Sequence, residues 1–143
     1  MNMNYIYADF NGWFYSLDND DFDYIDLTGY GTIHSLNSLG IRLKEGMKFI
    51  FYEPNDIEVL AEVVFDRTTP SLISKEGRWL AKYKAGTVKD CSFSESANFN
   101  IHPCFNCRAD FKPLWNKIGQ NYHELCTNCG TPIGYPLLAP EKE

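Results

Sequence analysis

A chain of 143 residues with 44% apolar and 15% aromatic side chains carries too much apolar surface for disorder, and it is long enough for one ordinary domain or a small domain plus a metal-stapled module. Net charge is −6 and unevenly spread: residues 1–70 hold 12 acids and 4 bases, residues 71–143 hold 7 acids and 9 bases. The acidic balance argues against a large nucleic-acid surface, and no run of about 18 apolar residues is present to cross a membrane as a helix. The start, MNMNYIYADFNGWFY, lacks the basic, apolar and cleavage regions of a signal peptide, so a cytoplasmic protein with reduced thiols is expected.

Residues 5–17 (YIYADFNGWFYSL) predict two strands around a turn at Asn11-Gly12, a pair that accepts positive φ at low cost. The acidic loop 18–23 (DNDDFD) fails as a calcium loop, because Phe22 stands where a ligand belongs and Asp23 where glycine belongs. A short strand is expected at 24–28. In 31–41 (GTIHSLNSLGI), Ile33, Leu36 and Leu39 recur at helical spacing and Gly40 is a stop, which predicts a short helix.

Strands are then predicted at 47–53, at 57–66 (IEVLAEVVFD, with the β-branched content of a central strand), at 78–84 and at 87–93, with loop between 68 and 77. In RWLAKYK (78–84), Trp79, Ala81 and Tyr83 alternate with Arg78, Lys82 and Lys84, giving one apolar and one largely basic face. Short strands with one short helix predict a mainly β domain over 1–95, a small SH3-like or OB-like barrel. Residues 96–101 read as a linker and 139–143 as a frayed tail.

Cys104, Cys107, Cys126 and Cys129 form C-x2-C-x18-C-x2-C, a spacing that predicts one zinc site. A two-residue gap lets a tight turn aim two thiolates at one point, and two such turns supply four sulfurs at about 2.3 Å from a tetrahedral Zn²⁺. Gly130 after the second pair permits a positive-φ turn, whereas Arg108 after the first departs from that pattern. Gly119-Gln120-Asn121 marks a turn between segments of about 111–118 and 122–125, expected to pair as a hairpin. On CFNC, the 18-residue gap and CTNCG, residues 102–136 resemble a zinc ribbon. The resemblance implies a ribbon fold, placed here over 102–138, with one structural zinc per chain, and it implies no task. Cys91 reads as a small buried apolar residue, and His102 as a neighbour of the metal site or a substitute ligand.

None of His34, His102 and His123 belongs to H-E-x-x-H, and no nucleophile elbow, P-loop or dinucleotide fingerprint occurs. Four sulfur ligands leave zinc no open position for substrate. These features favour a non-catalytic, zinc-stabilised protein that binds another macromolecule, first of all a protein, with Asp20, Asp21 and Asp23 as an acidic partner surface. The second reading is a nucleic-acid or ribosome-associated binder using Lys82, Lys84 and the strand at 75–89, with Trp115 on the ribbon hairpin. The third is a small enzyme with a site between barrel and ribbon near His34 or His102. YADFNG together with GTIHSLNSLGIRLKEGMKFIFYE resembles small uncharacterised bacterial proteins, which implies a bacterial source and no function.

Overall fold

The computed structural model describes residues 4–10, 13–14, 21–69, 75–91, 102–111 and 125–140. Its elements are β1 (Tyr5–Tyr7), β2 (Trp13–Phe14), β3 (Phe22–Asp26), α1 (Tyr30–Leu39), β4 (Lys48–Tyr52), β5 (Ile57–Asp66), β6 (Arg78–Lys84), β7 (Lys89–Asp90), β8 (His102–Pro103) and β9 (Asp110–Phe111). A 3-10 turn, Tyr135–Leu137, follows. The chain is mainly β with this one α-helix among the described residues.

One open sheet runs in the order β1-β4-β5-β6-β3-β2, and β7 pairs with the start of β5. All its pairings are antiparallel except β1–β4, which is parallel. The strand at 57–66 is central, flanked by β4 and β6 as its β-branched content predicts.

Two expectations fail here. The sheet is not a closed barrel: β1 and β2 stand at opposite edges. The physical reason lies in α1, which occupies the edge that closure would need. Thr32 Oγ1 donates to Tyr7 O at 2.8 Å, and the Tyr7 N–H donates to Ser35 Oγ at 3.2 Å, so helix side chains satisfy the backbone groups that another strand would have used. For the same reason residues 5–17 are not a hairpin. Both strands form, but β1 lies along β4 and β2 along β3. Asn11 and Gly12 themselves are outside the described residues.

The core lies on the sheet face lined by Ile6, Ile25, Phe51, Val59, Val63 and Trp79, closed by Ile33 and Leu36 of α1. Leu39, read as the third apolar helix position, is 47% exposed, and Asn37 is buried in its place. The polar side chain is satisfied there, since Asn37 Nδ2 donates to Ile133 O at 3.1 Å. Gly40 at φ +67° ends the helix, its N–H bonding to Asn37 O and that of Ile41 to Leu36 O, the Schellman pattern.

Ile133 and Leu137, which follow the second cysteine pair, belong to the same apolar cluster as the sheet residues. Trp79, fully buried against Phe65 with ring centroids 5.0 Å apart, donates its indole Nε1–H to Leu137 O at 3.0 Å and Leu138 O at 3.2 Å. A Trp79→Phe variant keeps an aromatic ring but removes the only donor an indole has. It is expected to lower stability by about 1–3 kcal/mol in urea unfolding, the range for stranding a buried polar partner. An unchanged midpoint would mean that this bond adds nothing.

Candidate metal centre

Each cysteine pair sits in a turn whose geometry its neighbours dictate. In the first, Cys104 N donates to Ala109 O at 2.8 Å and Arg108 N to Cys104 O at 3.1 Å; in the second, Cys126 N donates to Thr131 O at 2.8 Å and Gly130 N to Cys126 O at 2.9 Å. The turns are near copies of each other. Short antiparallel contacts close them at the base, β8 with β9 in one and Leu125 with Pro132 in the other. The hairpin expected at about 111–118 and 122–125 otherwise lies outside the described residues. Its ends, Phe111 and Leu125, each pair across their own cysteine turn, with His102 and Pro132.

The two turns bring the four sulfurs together. Cys104 Sγ lies 3.5 Å from Cys129 Sγ, Cys107 Sγ lies 3.7 Å from Cys126 Sγ, and all four fall within 4.8 Å of one another. Four sulfurs at about 2.3 Å around a tetrahedral centre would stand about 3.8 Å apart, so the set fits an ion of zinc's size and geometry. Amide donors point at the sulfurs: Asn106 N to Cys104 Sγ at 3.3 Å and Asn128 N to Cys126 Sγ at 3.4 Å. Such donors favour the thiolate, the form a metal requires.

The four thiols differ in their surroundings. Burial pushes the Cys104 thiol up. The Cys107 thiol is lowered by the Asn128 side chain, whose Nδ2 lies 3.4 Å from the sulfur, and by the Ala109 backbone N–H. The Thr131 hydroxyl, 3.1 Å from Cys129 Sγ, and the Thr131 backbone N–H bring the Cys129 thiol down to about 6. Cys91 is buried beside β7 and stands outside the four-sulfur group. The side chain of His102 is outside the described set.

Arg108 is the residue that sequence reasoning misjudged. It does not break the pattern of the turn: it takes φ +66°, beside +82° for Gly130 at the equivalent place. A non-glycine residue there costs about 1–2 kcal/mol. What offsets that cost is visible in its guanidinium. Nη1 donates to Asn37 O at 2.8 Å, and Nη2 to Ser38 O at 3.0 Å. Helix α1 has no basic residue of its own in its last turn, so the cysteine turn supplies the positive charge that the helix C-terminus attracts. The only local signal was a residue other than glycine at a glycine position.

The other candidate residues fall elsewhere. Asp20 and Trp115 lie outside the described residues. Asp21 and Asp23 are exposed at the start of β3. On the strand at 78–84 the cations are interleaved with acids: Arg78 Nη1 lies 2.5 Å from Asp26 Oδ2 and pairs in register with Asp66, and Lys82 stands across from Glu62 with its ammonium 4.4 Å from the Phe22 ring centroid. Lys89 Nζ lies 3.9 Å from Glu58. Lys84 is exposed. Leu80, between Arg78 and Lys82, is fully buried, so that face of the strand is not purely basic. His34 is half-buried on α1, its pKa lowered by burial.

No family model matches the chain, and neither a curated protein nor a solved structure matches it. Four cysteines placed to bind one metal ion are therefore what the molecule itself offers.

The two roles of Arg108 separate by substitution. Arg108→Gly removes the guanidinium and relieves the backbone, whereas Arg108→Ala removes the guanidinium and keeps the strain. Both variants are expected to be less stable than the parent, with the alanine form the worse by about 1 kcal/mol. Urea unfolding of the metal-loaded proteins measures the order, and equal stability of the two would refute the strained turn.

Proposed function

We propose that the chain is a zinc-stabilised binding protein, with residues 102–138 forming a ribbon-like module whose zinc is structural, and that its partner is another protein. The observation that carries the structural role is the closed sulfur set. Four thiolates complete a tetrahedron and leave no position for a substrate or a reactive water. A module of about 35 residues cannot bury enough surface to hold itself together, and zinc binding supplies on the order of 10 kcal/mol to such small units.

Two features favour protein over nucleic acid as partner. The net charge of −6 opposes a polyanion at long range. At short range three of the cations in 75–89 stand beside acids on neighbouring strands: Arg78 by Asp26 and Asp66, Lys82 across from Glu62, and Lys89 by Glu58. Among the described residues, the groove beside the cysteine turn is lined by one carboxylate, Glu45, and by no histidine, so that groove lends a catalytic reading no support.

Elemental analysis of protein purified without chelator is expected to give one zinc per chain, and removal of zinc is expected to abolish the near-ultraviolet dichroism of the buried aromatics. Protein that holds no zinc and keeps its dichroism would refute the structural role. On a heparin column, Lys82→Glu with Lys84→Glu is expected to leave retention unchanged. Strong retention that falls steeply with salt and vanishes in this double variant would instead identify a nucleic-acid binder.

A further inference from the structure

We propose that the groove beside the first cysteine turn receives a short segment of the partner protein in which a carboxylate neighbours an apolar or aromatic side chain. The proposal deepens the protein-recognition reading and rests on it. The groove encloses ≈ 440 Å³, within the range of ligand pockets and enough for a few side chains, too small for a folded domain.

Three separate parts of the chain build it. Arg42, Leu43 and Lys44 come from the loop after α1, Phe105 from the tip of the first cysteine turn, and Tyr135 and Pro140 from the C-terminal segment. Their mutual placement is fixed from several sides. The Phe105 and Tyr135 rings lie 4.9 Å apart at 38°. The Arg42 guanidinium sits 5.1 Å from the Tyr135 centroid and donates through Nη2 to Ala139 O at 3.2 Å. Leu43 N donates to Pro136 O at 3.0 Å. A wall held this way loses little freedom when a ligand arrives, which leaves more of the contact energy as affinity.

The chemistry of the wall selects the occupant. Leu43, Phe105, Tyr135 and Pro140 offer apolar surface, while among the described residues that line the groove Arg42 and Lys44 outnumber one acid, Glu45. This is a locally positive spot on an acidic chain. A short carboxylate-bearing segment would meet the two lining cations directly, while exposed charges more than a Debye length of about 8 Å away are largely screened. Phe105 stands between the ligands Cys104 and Cys107, so the metal would hold one wall in place, and segment binding would require it.

The test is selection of random heptapeptides displayed on phage against the full-length, zinc-loaded protein, followed by fluorescence anisotropy of the enriched peptide. Enriched sequences are expected to place Asp or Glu next to Leu, Phe or Trp. Lys44→Glu and Phe105→Ala are each expected to weaken binding about tenfold or more, as central contacts do. Lys44 is exposed, so an unchanged urea midpoint for Lys44→Glu would separate lost contact from lost fold. A peptide that binds the parent, Lys44→Glu and Phe105→Ala equally would overturn the groove while leaving protein recognition intact. Absence of any consensus, with millimolar AMP or UMP shifting the amide signals of Lys44 and Phe105, would overturn both.

Discussion

The contact between Arg108 and the end of α1 is the constraint on which the other parts depend. The cysteine turn forces Arg108 to positive φ, and that conformation sends its guanidinium across to the carbonyls of Asn37 and Ser38. The helix has no side-chain cap at its start and no basic residue in its last turn. It therefore takes its terminal charge from a residue some 70 positions later in the chain. The same helix covers the edge of β1 through Thr32 and Ser35. One path of contacts thus runs from the sulfurs through Arg108 and α1 to the edge of the sheet.

A second set of contacts works in parallel. Asn37 holds Ile133, Trp79 holds the carbonyls of Leu137 and Leu138, and Ile133 and Leu137 fill the space beside the sheet. The sheet gains part of its core from the segment that the sulfur cluster organises, and that segment gains the apolar surface it lacks. Buried apolar contacts of this kind are worth about 1.5–3 kcal/mol per side chain, comparable in sum with the net stability of a small domain. A metal held by the four sulfurs would fix where the loop after α1, the cysteine turn and the C-terminal turn meet.

What was legible in the sequence was local. The C-x2-C spacing pointed to four sulfurs at one point, the β-branched run at 57–66 to the centre of the sheet, and Gly40 to the end of the helix. What was not legible depended on partners far away in the chain. Leu39 matched the helical period as well as Leu36 did, but Asn37 is the buried residue because Ile133 O lies opposite it. Short strands with one short helix predict a barrel because such strands do not announce whether their edges meet, and here α1 covers the free edge of β1. The basic strand was readable as alternation, yet Asp26, Glu58, Glu62 and Asp66 beside its cations come from pairings that only the folded sheet makes. Arg108 looked like a defect in a turn because its reward lies on a different element.

The central claim is that the four-sulfur cluster fixes α1 and the C-terminal turn against the sheet. Hydrogen–deuterium exchange with and without zinc tests it most directly. On zinc removal, the amides of Gly40, Ile41 and Leu43 and of Tyr135, Leu137 and Leu138 should lose protection, since each bonds to a carbonyl in this junction. Full protection of these amides in the zinc-free protein would contradict the account.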